Sequence, residues 1–105
     1  MTLEQRVLRS QARTLVDHHP AVARELQIGR PDLPRVFDDG GLVDVNAVPE
    51  SLLATLPGVT ADQARRIVAC RQVHGEFTSA EDLIIKGLLT AAAVHALREI
   101  LIAVR

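Results

Sequence analysis

The side chains that could do chemistry in this chain are scattered, and none stands in a catalytic pattern. Ser10, Ser51 and Ser79 lack a nucleophile motif, and the four histidines are spread along the chain. Asp38 and Asp39 are adjacent, but the sequence offers no partner for acid–base work. We therefore expect no catalytic residues and a protein that is not an enzyme.

The spacings of potential metal ligands are equally unfavourable. His18 and His19 have no third ligand at a suitable distance along the chain. The run from Asp38 to Gly41 lacks the alternating oxygen ligands and the terminal glutamate of a calcium loop. Cys70 is the single cysteine, so neither a disulfide nor a cysteine-based zinc site is available. We expect no metal, no cofactor and no small-molecule substrate.

Two glycine turns, each followed by a helical pattern, favour a different kind of site, in which the backbone binds an anion. Leu-Pro-Gly-Val at 56–59 leads into one helix, and a turn at Gly87 leads into another. The first N–H groups of a helix lack internal partners and carry the positive end of its dipole, so they bind phosphate. The residues predicted to make or flank such contacts are Gly58, Val59, Thr60, Arg65, Arg66, Lys86, Gly87, Leu88 and Leu89.

Other residues near the first turn are unfavourable for anion binding. Thr60 and Gln63 form a capping-box pattern, which would occupy an N–H that a phosphate needs. Asp62 places a negative charge in the first helical turn. Arg65 and Arg66 are interpreted in two ways, as phosphate contacts or as a solvated face with acidic partners.

A second basic group lies near the N-terminus. Arg6, Arg9 and Arg13 are spaced three and four residues apart, so they share one face of a predicted helix. One interpretation is a solvated face, and the other is a contact with phosphate or with anionic lipid.

Composition limits the classes of partner. The chain has 105 residues and a net charge of -1, which suits one small domain and does not suit a strong nucleic-acid binder. Phe37 and Phe77 are the only aromatic residues, which nearly excludes base stacking on single strands as a binding mode. With no long apolar run and no signal peptide, we expect a soluble, cytoplasmic chain without a membrane span.

The sequence predicts an N-terminal helical segment over 1–27 and an ordered linker over 28–46. Thr2 and Gln5 form a capping box that starts a helix over 3–17 with an apolar stripe. A second helix is expected from Ala21 to Gln27, ended by Gly29. The linker contains prolines, glycines and apolar residues, which are expected to lie against the helices. These apolar linker residues are Ile28, Leu33, Val36, Phe37, Leu42, Val43 and Val45.

The sequence after Asn46 contains an internal repeat, whose register is set by the two glycine turns. The repeat aligns Leu56 with Ile85, Gly58 with Gly87, Val59 with Leu88, Ala64 with Ala93 and Val68 with Leu97. Such a repeat predicts a pseudo-twofold pair of helical hairpins that bury a shared core. In the connector, Gly75 is expected to end one helix in a left-handed conformation, and Ser79 with Asp82 is expected to cap the next. We expect Phe77 to fill the space between the halves and Cys70 to be buried.

Asp44-Val45-Asn46, the Leu-Pro-Gly-Val hairpin and the run His74 to Leu83 resemble the tandem helix-hairpin-helix module of the competence-type DNA-receptor family. A photosystem extrinsic protein has a similar module. The stretch from Gly29 to Leu42 resembles a preface found in actinobacterial proteins, in which a membrane segment often comes first. This resemblance implies an all-α tandem helix-hairpin-helix over 47–105, and it implies that the chain is a soluble fragment with an added Met1 from a membrane-anchored parent.

In that family each hairpin has a second glycine after an apolar residue, whereas this chain has Thr60 and Leu89. A side chain there limits the approach of a phosphate to the backbone. Two functions remain open. One is weak, salt-sensitive and sequence-independent binding of double-stranded DNA through both hairpins. The other is a protein-interaction or self-association module that has lost phosphate binding.

Overall fold

A computed structural model describes residues 2–34 and 37–105 of the chain. Met1, suspected to be an added residue, lies outside the described residues, as do Arg35 and the apolar linker position Val36. The elements in chain order are α1 (Leu3–His18), α2 (Pro20–Glu25), β1 (Val43–Asp44), α3 (Glu50–Leu53), α4 (Ala61–His74), α5 (Asp82–Ile85), α6 (Ala91–Leu97) and β2 (Leu101–Ile102). The predicted all-α class is confirmed, because the described residues contain only this minor pair of strands.

The N-terminal helices begin as their sequence signals predict. Thr2 accepts from the N–H of Gln5, and the Gln5 side chain accepts from the N–H of Thr2, which completes the capping box of α1. Helix α2 begins at Pro20, which was expected in its first turn, and ends at Glu25, so the predicted end at Gln27 is wrong. Gln27 has a φ of 56°, and the chain has therefore left the helix before the expected stop at Gly29.

The unpredicted strands are parallel, with Val43 opposite Leu101 and Asp44 opposite Ile102. Leu101 packs in one apolar core and Ile102 in another, because successive residues of a strand point to opposite faces. The sheet therefore joins the core of the tandem helices to a smaller core beneath α1 and α2. Linker residues Val43 and Val45 lie in the first core, and Leu42 lies in the second.

The apolar stripe predicted for α1 is only partly buried. Ala12 has no exposed surface, whereas Leu3 is 77% exposed and Val7 is 48% exposed. Helix α1 therefore extends beyond the smaller core at its N-terminal end. Among the described residues, no helix combines the length and apolar character that a membrane crossing requires.

The region around the connector between the two hairpins differs from its prediction at Gly75, Ser79 and Cys70. Gly75 ends α4 with a φ of 87°, as its glycine allows, but its ψ of -169° is extended rather than left-handed. The predicted side-chain cap by Ser79 is wrong, since α5 has no side-chain cap. Asp82 Oδ2 instead accepts from the N–H of Thr78 at 3.2 Å. Phe77 is fully buried in the first core, and Cys70 is half-buried against it rather than buried.

Candidate functional site

The two glycine corners have different backbone geometries. In the first, the N–H of Val59 donates to the carbonyl of Leu56 at 3.1 Å, and Gly58 has a φ of 80°. Proline at the second position and a positive-φ glycine at the third match a type II turn. In the second corner, the N–H of Leu88 donates to the carbonyl of Leu83 and that of Gly87 to Ile84. This pair of bonds is a Schellman motif with Gly87 as its left-handed residue.

The two helix caps are separated by one residue more than the two corner glycines are. Thr60 caps α4, and Thr90 caps α6. The second corner has one more residue between its glycine and its helix cap than the first corner has. The alignments of Val59 with Leu88, Ala64 with Ala93 and Val68 with Leu97 are therefore wrong. The buried pairs are Leu53 with Leu83, Val59 with Leu89, Ala64 with Val94 and Ile67 with Leu97.

Each corner presents backbone N–H groups that have no acceptor among the described residues. In α4 these belong to Ala61 and Asp62, while the N–H of Thr60 donates to Gln63 Oε1 at 2.9 Å. In α6 the N–H groups of Thr90, Ala91 and Ala92 are open, and the Thr90 hydroxyl accepts from the N–H of Ala93. Because position 93 is alanine, α6 lacks the reciprocal half of the capping box and keeps one more open donor than α4.

The corner glycines are also open to an approaching ligand. A Cβ atom built on Gly58 or Gly87 would meet no heavy atom within 4 Å. By contrast, a Cβ on Gly29 would lie 2.7 Å from the Asp44 Cβ, and one on Gly40 would lie 2.7 Å from the Arg9 Cγ. Gly58 and Gly87 therefore leave free surface on the backbone, whereas Gly29 and Gly40 admit close packing within the protein.

The cations predicted at the corners are all ion-paired. Asp62 contacts both Arg65 and Arg66, and its Oδ2 lies 2.7 Å from Nη2 of Arg66. Lys86 Nζ lies 3.0 Å from Asp82 Oδ2 and 5.2 Å from the centroid of the Phe77 ring. The bond from Lys86, and then that from the N–H of Thr78, hold the pKa of Asp82 below its ordinary value.

Two of the three N-terminal arginines donate hydrogen bonds to backbone carbonyls within the fold. Arg9 Nε donates to the carbonyl of Gly40 at 2.7 Å. Arg13 Nη2 donates to the carbonyls of Arg98 and Glu99, each at 2.9 Å, where α6 ends. A guanidinium suits this position, because the last carbonyls of a helix lack internal partners. Arg6 is exposed on the same helix, and the phosphate or lipid contact of this face stays a prediction.

A buried polar group in strand β1 was not recognised from residue chemistry. Asp44 is 4% exposed, and its Oδ1 accepts from the N–H groups of Asn46 and Val104. Burial raises the pKa of Asp44 to about 6, although those two N–H groups, Arg24 and Arg30 act in the opposite direction. Only the family resemblance had pointed to these residues, since a lone aspartate in a linker gives no local signal of burial.

The arrangement supplies backbone N–H groups that have no acceptor among the described residues. Within the described residues, no three histidine, cysteine, aspartate or glutamate side chains gather as a metal site. A family model described as helix-hairpin-helix motif matches residues 38–101, which is more than half of the chain. No curated protein and no solved structure matches the chain. This motif is generally associated with nucleic-acid binding or protein interaction. With both glycine corners formed and the matched range spanning them, the chain belongs to the helix-hairpin-helix family.

Proposed function

We propose that this chain binds the backbone of double-stranded DNA weakly and without reading sequence, and that it is not an enzyme. The observation that carries the proposal is that α4 and α6 both begin with open N–H groups next to an unobstructed glycine. Such groups bind a phosphate oxygen irrespective of the attached base. The resemblance to competence-type DNA receptors supports the same function.

The ion pairs at the first corner do not prevent this contact. The side chains of Arg65 and Arg66 are 68% and 61% exposed. An exposed ion pair contributes at most about 1 kcal/mol, so a phosphate can take the place of Asp62. Lys86 is less available, since its side chain is 33% exposed and packs over Phe77.

Three features keep the proposed affinity low. Residues 47–105 carry six basic and six acidic side chains, so this part has no net charge. Thr60 and, in the register of the helix caps, Thr90 stand where the resemblance leads us to expect glycine, and Gln63 occupies the N–H of Thr60. Asp62 adds repulsion close to the open amides of α4. The binding energy therefore comes from few phosphate contacts and depends steeply on salt.

The test is a titration of a short duplex at several low salt concentrations. Replacing both Arg65 and Arg66 with alanine should reduce the slope of log affinity against log salt by about 1 to 2, since each phosphate contact contributes about 0.9. The control replaces Arg24 and Arg98 with alanine, because these arginines are similarly exposed and ion-paired but lie outside the corners. An equal loss of slope in both double variants would argue against the proposal.

A second candidate function is a contact with another protein or with a second copy of the chain. It is favoured by Ile85, which is 81% exposed beside the second corner, and by Val73, which is 75% exposed on α4. Light scattering tests self-association, and a defined dimer that Ile85→Ser dissociates would support it. A monomer at all concentrations, together with salt-dependent duplex binding, would favour the first proposal.

A further inference from the structure

A cavity of about 240 Å³ lies beside strand β1, where the end of α2 and the turn that follows it face Asp44. We call it the Asp44 cavity. None of the described residues of the two glycine corners lines it. The lining residues that bear on its chemistry are Arg24, Gln27, Arg30, Leu33, Asp44 and Ala47.

Asp44 contributes a hydrogen-bond acceptor to this cavity. Its Oδ1 accepts from the N–H groups of Asn46 and Val104 at 2.9 and 3.1 Å, whereas its Oδ2 has no hydrogen bond with the described residues. Among those residues, every fully buried side-chain nitrogen or oxygen has a partner, so Oδ2 retains contact with solvent. Because the whole residue is only 4% exposed, this contact is narrow, and a donor that reaches Oδ2 through the cavity would satisfy it.

Gln27 lines the same cavity in a conformation that its residue type does not favour. The N–H of Ile28 donates to the carbonyl of Ala23, and that of Gln27 donates to Arg24, which together form a Schellman motif. Its left-handed position is usually glycine, but Gln27 occupies it with a φ of 56°. The side-chain amide of Gln27 has no hydrogen bond among the described residues. The strain is therefore retained at a residue whose free amide borders the cavity, as is common at ligand sites.

The charges around the Asp44 cavity have both signs. Arg30 donates to both carboxylate oxygens of Asp32. Arg24 lies 4.0 Å from Glu76 and is mostly exposed. A bound carboxylate would be repelled by Asp44, a bound ammonium would be repelled by Arg24 and Arg30, and either ion would lose hydration. A neutral group that both donates and accepts hydrogen bonds avoids these costs.

We propose that the Asp44 cavity binds a small neutral carboxamide with a branched aliphatic body, whose N–H group donates to Asp44 Oδ2 and whose carbonyl accepts from the Gln27 side chain. A hydroxyl presents donor and acceptor at one atom, whereas a carboxamide separates them and can therefore meet two side chains. Leu33 and Ala47 are half-buried in the wall and supply an apolar surface for the aliphatic body. This site is separate from the proposed duplex site at the glycine corners.

The test compares three probes with the same aliphatic body, namely isovaleramide, isovalerate and isopentylammonium. Each is titrated into ¹⁵N-labelled full chain at about pH 8, above the pKa of about 6 of Asp44. Isovaleramide should shift the amide signals of Asn46 and Val104 and the side-chain amide of Gln27 saturably, with a Kd below about 10 mM. The anion and the cation should bind several-fold more weakly. No saturable shift with isovaleramide, or equal binding of either ion, would overturn the proposal.

Two variants separate a binding role from a structural one. Asp44→Asn replaces the open acceptor with a donor and keeps an oxygen for the two N–H groups, so it should weaken amide binding several-fold. Gln27→Gly relieves the strain and removes the side-chain amide, so it should raise the urea midpoint and yet weaken binding. The exposed Gln72→Ala is the control and should change neither.

Duplex binding should be the same in all three variants, so a failure of the duplex proposal is distinguishable from a failure of this one. Full binding of isovaleramide in folded Asp44→Asn or Gln27→Gly would contradict the assigned contacts. A lower urea midpoint in Gln27→Gly would show that Gln27 supports the fold instead, and it would also count against the proposal.

Discussion

Asp62 lies one helical turn before Arg66, and its Oδ2 forms an ion pair with Nη2 of Arg66 at 2.7 Å. The same carboxylate contacts Arg65, so one acid pairs with both arginines of the first corner and offsets one of their two positive charges. It also lies in the first turn of α4, where the open amides of Ala61 and Asp62 would bind an anion. Asp62 therefore stabilises the helix and at the same time weakens its attraction for phosphate.

The variant Asp62→Asn should bind a short duplex more tightly than the wild type at low salt. Removing one negative charge close to a bound phosphate should strengthen binding by about 0.5 to 1 kcal/mol in water, which is about two- to five-fold in affinity. The measurement is fluorescence anisotropy with a labelled duplex. Glu76→Gln is the control, because it removes an exposed, ion-paired acid outside the corners. Unchanged affinity in Asp62→Asn would place the duplex elsewhere.

Asn46 anchors the connector between the two hairpins. Its Oδ1 accepts from the N–H of Phe77 at 2.6 Å, and its Nδ2 donates to the carbonyls of Phe77 and Val104. Asn46→Ala leaves these backbone groups without their partner, so it should lower the free energy of unfolding by about 2 to 4 kcal/mol. Urea denaturation measures this loss. The exposed Gln72→Ala is the control, and a loss no larger than that of the control would contradict this role.

Asp44 should make stability depend on pH. Its pKa is about 6 in the folded chain and lies near 3.8 when unfolded, so between these values the folded state holds more protons. Its contribution is therefore fully present below about pH 4 and is lost as pH rises through about 6, with an upper bound of about 3 kcal/mol. Urea denaturation across this range should show a flatter profile for Asp44→Asn. Parallel profiles would contradict the raised pKa.

The glycines should differ in their tolerance of alanine. At Gly58 only the positive φ of 80° opposes a side chain, so Gly58→Ala should cost about 1 to 2 kcal/mol. Gly29→Ala adds a contact of 2.9 Å with the backbone N of Asp44 and should cost distinctly more. Thermal or urea denaturation compares the two. A greater loss at Gly58 would show that its surroundings are not open.

Local signals predicted the glycine corners and the capping boxes of α1 and α4, but not the start of α5. Thr60 with Gln63 and Thr2 with Gln5 each form a complete capping box, because these bonds join residues three apart. The repeat was misaligned because glycine was used to set its register, although the helix caps and buried positions repeat in the register that pairs Thr60 with Thr90. Glycine occurs in both turn types, but the number of residues between the glycine and the next helix differs between them.

Contacts between distant parts of the chain could not be predicted in this way. Strands β1 and β2 have two residues each, which is too short for an alternating pattern to show. The bond from Arg13 to Glu99 spans 86 residues, so nothing near Arg13 distinguishes it from a solvated arginine. The exposure of Leu3 and Val7 likewise depends on where the smaller core ends rather than on the periodicity of α1.

Amide shifts during titration with a short duplex test the central claim most directly. With ¹⁵N-labelled full chain at low salt, two duplexes of unrelated sequence should shift the same signals, namely those of Gly58, Ala61, Asp62, Thr90, Ala91 and Ala92. These shifts should disappear as salt is added. Shifts confined to other residues, or no shifts at all, would contradict phosphate binding at the glycine corners.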